Sequence, residues 1–412
     1  MAFLRRVRHF LGDTYRSVLK SIVGVIPKNK RLILFSAWFG EKYSDNSKFL
    51  FDYMRENSCY TVYWYTKNRS LYEELTKKHI PVLYAKSWKA IWYQCRAIMC
   101  VSTVQTSDFN CLFLNNCYYL DLGHGFPGKP TGLMQPTVNK NWVKWFQFTK
   151  KGLRYYETAA SYFTVVYTGP CYDVQPDHFV FSNKPRIDVL FDKELRKGFN
   201  ASIDKIKSNK RLITYLPTHR SCGKKVMDIS KIFDLNSLQL FCEQTDSVFL
   251  IKKHFYHNSE STDLIKYPNI FDVTSEEIDT EVLLAQSDVL VTDFSSCFID
   301  FLALNRPILF YAYDYDDYMA NERDYYWKYD MIDGGYTSKD YRDFLLSLFE
   351  LSKDWKDTIH NNGRLEMRRM YFDDDVEMGT SREKLCHVID QMINGSYEPY
   401  DWSTKKNQSA LL

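Results

Sequence analysis

The sequence predicts two α/β halves in tandem, each a doubly wound parallel sheet of Rossmann type. Three observations carry this expectation. From Arg31 onward, short apolar runs alternate with segments of helical period. The alternation pauses over a charged, Lys-containing stretch, Asp188 to about Lys210, and then resumes. The chain has 412 residues, more than one core usually organises.

Composition narrows the class. The chain is 45% hydrophobic and 25% charged, a globular balance, with 31 Tyr and 28 Phe to share between the core and any binding surface. A net charge of +3 gives no overall field for nucleic acid, so no nucleic-acid partner is expected. The ten cysteines form no CxxC pair and no Cys/His cluster of zinc spacing. They read as reduced thiols, with no metal held by the protein and no cofactor. No apolar run reaches the length of a membrane span. Arg and Asp interrupt the first residues, which therefore do not resemble a cleaved signal peptide.

Residues 1–30 stand apart. Phe3, Leu4, Phe10, Leu11, Val18, Leu19, Ile22, Val23 and Ile26 interleave with Arg5, Arg6, Arg8, His9, Arg16 and Lys20. This is a basic amphipathic helix, suited to an anionic membrane surface or to the body of its own protein. Trp142 to Lys151 is a second basic-aromatic stretch, of headgroup-interface composition. Residues 31–195 make the first half, with strands expected at Leu32–Phe35, Val62–Tyr65, Val82–Tyr84, Ile98–Val101, Tyr118–Leu122 and Phe163–Val166. Lys48–Met54 and Trp88–Arg96 have helical character. Residues 196–395 make the second half, with strands at Leu212–Tyr215, Val248–Ile251, Ile270–Val273, Val289–Val291 and Ile308–Tyr311. Two such halves would place a ligand cleft between them, at the carboxyl ends of both sheets. Residues 396–412 are polar with few anchors and are expected to be mobile.

Chemistry concentrates at the strand ends. The run Val289–Val291 ends in Thr292-Asp293, and a helical period begins at Cys297. Ser295 and Ser296 therefore sit at a strand-to-helix turn. Ser295 there caps the helix, and the free N–H groups of such a turn also suit an anion. Thr218 and Arg220 end the first strand of the second half, and Lys252-Lys253-His254 end the next. Hydroxyls, cations and an imidazole at one sheet edge match a polyphosphate. Arg323 is placed to reach a phosphate. Asp314 to Tyr318 is acidic and reads as a solvated loop. In the first half, His124 sits among Gly123, Gly125 and Gly128 after a strand, where an imidazole suits a general base. Lys129 could hold a phosphate.

In their order along the chain, these motifs resemble the CDP-glycerol glycerophosphotransferase family of teichoic acid and capsule synthesis, over residues 31 to about 390. Phe39 to Asn46 resembles the family's first loop, and His124 to Lys129 its HGTPLK loop. Pro185-Arg186-Ile187-Asp188 is similar to PRND, Leu216 to Arg220 to APTWR, and Asp288 to Phe301 to TDYSS with its FD helix. Arg323 to Tyr326 and Asp333-Gly334-Gly335 resemble the late RGFY and PGP segments. Gly at 123, Phe126, His219 and Asn183-Lys184 depart from the family pattern.

The resemblance implies a GT-B fold, with the donor in the second half and acceptor contacts in the first. It implies transfer of glycerol phosphate from CDP-glycerol to a hydroxyl of a lipid-linked glycan or polyol-phosphate acceptor, releasing CMP. CDP-ribitol, or a nucleotide sugar on the same fold, are the alternative donors. By carry-over His124 is the base, and His254 stabilises the diphosphate. Thr218, Arg220, Lys253, Asp293, Ser295, Ser296 and Arg323 line the donor phosphates, and Asn46, Gly125 and Lys129 the acceptor side. The family acts peripherally at the cytoplasmic face of the membrane, which gives both basic-aromatic stretches a purpose.

Overall fold

The computed structural model describes residues 2–126, 128–135, 138–196, 201–218, 220, 227–253, 264–276, 278–321, 329, 332 and 334–405, without the side chains of 2–13, 201, 202 and 405. The chain divides into two compact units. The first gathers Met1–His124, Thr131–Arg186 and Thr380–Asn407; the second gathers Gly125–Pro130, Ile187–Gly379 and Gln408–Leu412.

The first unit holds seven parallel strands: β1 (Asn29–Phe35), β2 (Thr61–Thr66), β3 (Val82–Tyr84), β4 (Ala97–Ser102), β5 (Cys117–Asp121), β6 (Leu153–Ala159) and β7 (Phe179–Phe181). Their order is β3-β2-β1-β4-β5-β6-β7. Ile33, Phe35, Met99, Val101 and Leu120 pack one face, and Leu34, Cys100 and Tyr119 the other. Burial on both faces explains why these strands read as continuous apolar runs rather than alternating ones. The strand order reverses between β1 and β4, where Leu34 pairs with Cys100 and Phe35 with Val101. Ligands of open α/β sheets bind at the carboxyl ends beside such a reversal.

The second unit holds six parallel strands: β8 (Arg211–Leu216), β9 (Ser247–Ile251), β10 (Ile270–Asp272), β11 (Val289–Thr292), β12 (Ile308–Tyr311) and β13 (Tyr336–Ser338). Their order is β10-β9-β8-β11-β12-β13, so the reversal falls between β8 and β11. Val291 pairs with Tyr215 and Thr292 with Leu216. Ile213, Tyr215, Phe249, Ile251, Val291, Leu309 and Tyr311 belong to one core.

Two expectations are corrected. Phe163–Val166 is not a strand but part of the helix Tyr162–Tyr172, started by Ser161, whose Oγ accepts the Thr164 N–H at 3.1 Å. A short apolar run does not distinguish a buried helix from a strand. The strand is β6, whose Arg154 and Glu157 broke the apolar signal although Glu157 is buried. The tail is anchored further than expected. Trp402 is 4% exposed and packs with Tyr400 against Phe181 of β7.

The N-terminal segment is a helix, Ala2–Val25. Its Lys20 is 3% exposed and donates to the carbonyls of Phe148, Thr149 and Lys151 at 3.0, 2.7 and 2.7 Å. These carbonyls end the helix Lys140–Lys150, so the ammonium caps the negative end of that helix. Burial pulls the Lys20 pKa down to about 8. Arg16 lies 5.4 Å from the Trp145 ring. The two basic-aromatic stretches thus pack on each other, while Tyr15, Val18, Ile22, Trp142 and Trp145 remain exposed. Among the described residues no helix is long and apolar enough to cross a membrane.

Candidate active-site loops at the two sheet reversals

In the first unit the loops after β1, β4 and β5 meet at His124. The chain leaves β1 through Trp38, Phe39 and Gly40, all left-handed, at φ 50°, 64° and 82°. Gly40 is required there, because a Cβ would lie 2.9 Å from the Asp108 carbonyl oxygen. The loop after β4 carries Asp108, which is fully buried. One of its carboxylate oxygens accepts the N–H groups of Thr103 and Val104 at 2.8 and 3.1 Å; the other accepts that of Phe39 at 2.6 Å. Burial, with the charge of Asp121 adding, pushes the Asp108 carboxyl up to about 6 against these amides.

His124 follows β5 and is exposed. Its Nδ1 lies 3.0 Å from the Thr103 carbonyl oxygen. A carbonyl only accepts, so Nδ1 carries the proton and Nε2 keeps its lone pair in the neutral ring. The Trp38 ring packs on the imidazole with centroids 5.1 Å apart. The backbone on either side of the histidine is fixed as well. Asp121 accepts the Gly123 N–H at 2.9 Å, and the buried Lys184 donates to the Leu122 carbonyl at 2.6 Å. Arg186 donates to the His124 carbonyl at 2.8 Å and to Asp45 at 3.2 Å.

Asn46, expected on the acceptor side, is fully buried. Its amide donates to the Gly123 carbonyl at 2.8 Å and accepts the Arg186 N–H at 3.0 Å. It therefore holds the histidine loop rather than facing a ligand. Trp38, Asp108 and Arg186 were missed as site residues. Arg186 had a signal, the PRND-like element; Asp108 had none, because its importance lies in backbone bonds.

In the second unit the loops after β8 and β11 meet at Asp293. One of its oxygens accepts the Thr218 N–H and hydroxyl at 2.8 and 2.7 Å, and the other takes Arg220 at 2.7 Å. Arg220 also forks onto both oxygens of Asp314 at 2.8 Å and donates to the Thr218 carbonyl at 2.7 Å. The acidic loop is therefore not simply solvated, since Asp314 takes half of a buried ion pair. Lys129 donates to the Phe294 carbonyl at 2.7 Å and to the Tyr318 hydroxyl at 2.6 Å. Phe294 stacks on Tyr318 with centroids 3.7 Å apart. Thr218, Arg220, Asp293 and Lys129, all expected to touch ligand, are thus engaged with one another or with the turn at 293–296. Lys253 is buried too, with its ammonium 3.1 Å from Asp272.

Ser295 and Ser296 stand on this scaffold. Ser295 Oγ accepts the Cys297 N–H at 3.3 Å within the turn, but the cap position expected of Ser295 is taken by Ser296, whose side chain makes no capping bond. Ser296 is exposed, and its hydroxyl has no hydrogen-bond partner among the described residues. The helix that follows, Cys297–Leu302, has only six residues, so its dipole is short and the turn's donors are local N–H groups and hydroxyls. Gly125 belongs to this unit, and a Cβ on it would stand 3.7 Å from the Ser296 hydroxyl. His254 and Arg323 lie outside the described residues.

Known proteins resemble this chain over most of its length. The family model described as CDP-glycerol:poly(glycerophosphate) glycerophosphotransferase matches residues 18–391. The chain is 28% identical over 403 residues to the teichoic acid glycerol-phosphate transferase of Staphylococcus aureus, covering 93% of this chain and 97% of that one. It is 28% identical over 350 residues to the teichoic acid poly(glycerol phosphate) polymerase of Bacillus spizizenii, covering 79% and 85%. The solved structure of the wall teichoic acid polymerase TagF superposes with a TM-score of 0.70 at 22% identity, over 95% of this chain and 98% of that one. The two Rossmann-like sheets therefore form a GT-B-like fold, and the chain belongs to the CDP-glycerol:poly(glycerophosphate) glycerophosphotransferase family of enzymes.

Proposed function

We propose that this enzyme transfers glycerol phosphate from CDP-glycerol to a hydroxyl of a lipid-linked glycan or polyol-phosphate acceptor in teichoic acid synthesis. The observation that carries the reading is His124, whose Nδ1 is tied to the Thr103 carbonyl, leaving Nε2 as the proton acceptor. In this reading Nε2 takes the acceptor hydroxyl proton as that oxygen attacks the phosphorus next to glycerol. A new P–O bond forms to the acceptor, the bond to the bridging oxygen breaks, and CMP leaves with that oxygen. The leaving group gathers negative charge. The Ser295–Ser296 turn supplies N–H groups and a hydroxyl to meet it, on a base fixed by Asp293, Arg220 and Lys129. His254 and Arg323 join the donor side in the same reading. The exposed Tyr15, Val18, Ile22, Trp142 and Trp145, with the basic residues around them, attach the enzyme peripherally to the anionic cytoplasmic face of the membrane.

The reading is supported by the family description and by the name of the S. aureus relative. The test is a donor panel. The purified chain is incubated with lipid-linked acceptors and either CDP-glycerol, CDP-ribitol or a nucleotide sugar. Transfer from CDP-glycerol, read as CMP release, is expected well above transfer from CDP-ribitol, read as CMP, or from the nucleotide sugar, read as its nucleoside diphosphate. Preference for CDP-ribitol overturns the donor assignment, and turnover of the sugar donor alone overturns the reaction class.

A further inference from the structure

We propose that Trp38, braced from behind by Asp108, is the positioning residue that holds His124 in its reactive tautomer. The inference rests on the reading of His124 as the base and goes beyond it by saying what makes the histidine one. Two closed circuits of contacts lead to this conclusion. In the first, Asp108 binds the backbone N–H of Thr103, and the carbonyl of Thr103 takes the Nδ1 proton of His124. The same carboxylate binds the N–H of Phe39, and Trp38 donates its own N–H to the Thr103 hydroxyl at 3.2 Å. The Trp38 ring then closes on the imidazole. In the second circuit, the Trp38 indole N–H donates to Asp45 at 3.1 Å, and Asp45 accepts from Arg186. Arg186 returns to the His124 carbonyl.

The backbone is bent where these circuits close. Trp38, Phe39 and Asp45 all take left-handed φ values of 50°, 64° and 64°, which non-glycine residues rarely adopt. Such conformations persist only where surrounding contacts over-determine them, and they gather at working sites. Here the contacts that hold them are those that orient the imidazole. The cage also sits between β1 and β4, where the strand order reverses.

The test reads the tautomer without substrate. Imidazole proton–nitrogen NMR is recorded on the full chain labelled with 15N-histidine, with His124 assigned through His124→Gln. At a pH where the ring is neutral, the wild type is expected to show His124 protonated at Nδ1. Trp38→Leu and Asp108→Asn are expected to shift it to a mixture with the Nε2–H form, while Trp38→Phe, which keeps a ring, largely preserves it. In turnover, Trp38→Leu is expected to lower kcat on the order of 100-fold with the KM for CDP-glycerol unchanged. An Nε2–H wild type, or a pure Nδ1–H ring in both Trp38→Leu and Asp108→Asn, overturns the proposal. If Trp38→Leu does not fold, Asp108→Asn and Trp38→Phe decide it through the same spectra. An inactive wild type with the expected tautomers would instead count against the reaction assigned above and leave the cage standing.

Discussion

One carboxylate oxygen of Asp293 accepts both the backbone N–H and the hydroxyl of Thr218, at 2.8 and 2.7 Å. This locks the loop after β8 to the loop after β11 across the sheet reversal of the second unit. Arg220 closes the lock by bridging Asp293 to Asp314. Arg220→Met leaves two carboxylates without their cation, at least one of them fully buried, and is expected to destabilise the protein by about 3–5 kcal/mol. Arg220→Lys should rescue little, because an ammonium cannot fork onto two carboxylates. Thermal denaturation of both variants measures this, and wild-type stability in Arg220→Met would remove the scaffold role.

Ser296 gives the opposite pattern. Its hydroxyl is exposed and unbonded among the described residues, so Ser296→Ala should change stability by less than about 0.5 kcal/mol. A lost hydrogen bond to donor phosphate is worth about 1 kcal/mol, which predicts a rise of roughly fivefold in the KM for CDP-glycerol. Steady-state kinetics beside a melting curve separates the two effects. An unchanged KM would return the turn to a helix cap alone.

Asp108 predicts a pH dependence of stability. Burial raises its carboxyl from the ordinary 3.8 to about 6, so the folded state holds this proton more tightly than the unfolded chain. Its contribution is complete below pH 3.8 and is lost as the pH rises to about 6, then stays level. Asp108→Asn lacks the titration. The melting temperature of the wild type minus that of Asp108→Asn should therefore fall between about pH 4 and 6 and flatten above it. A difference that does not vary with pH would show that Asp108 titrates normally.

Membrane attachment is tested on the exposed face formed by the docked N-terminal helix and the helix Lys140–Lys150. The double variant Trp142→Ser, Trp145→Ser removes two exposed indoles. It is expected to sediment less with vesicles rich in anionic phospholipid, and high salt should weaken the binding of the wild type. Equal sedimentation of wild type and variant would assign these aromatics to another purpose.

Much of this protein was legible from residue types, and what was hidden has a common physical cause. Buried strands such as Val289–Thr292 announce themselves because both faces of a parallel sheet are covered. β6 did not, because Glu157 is a buried charge that looks like surface in sequence. β7 and β13 were not read, although β3 and β10, equally short at three residues, were, so length alone does not hide a strand. His124 and the Ser295–Ser296 turn were visible because glycines and hydroxyls at a strand end are a local signature. The roles of Thr218, Arg220, Lys129 and Asn46 were not, since a polar side chain at a strand end looks alike whether it faces a ligand or a neighbouring loop. Only the partner decides, and Asp293, Asp314, the Phe294 carbonyl and the Gly123 carbonyl lie far from them in sequence.

The proposed role of His124 as the base for transfer from CDP-glycerol can be tested on the reaction itself. The most direct measurement is CMP release from labelled CDP-glycerol by the wild type and by His124→Gln, with lipid-linked acceptors and with donor binding measured in parallel. His124→Gln is expected to bind CDP-glycerol as the wild type does and to release CMP slower by about 100-fold or more. CMP release by His124→Gln at the wild-type rate, or no release by the wild type with any of these acceptors, would contradict it.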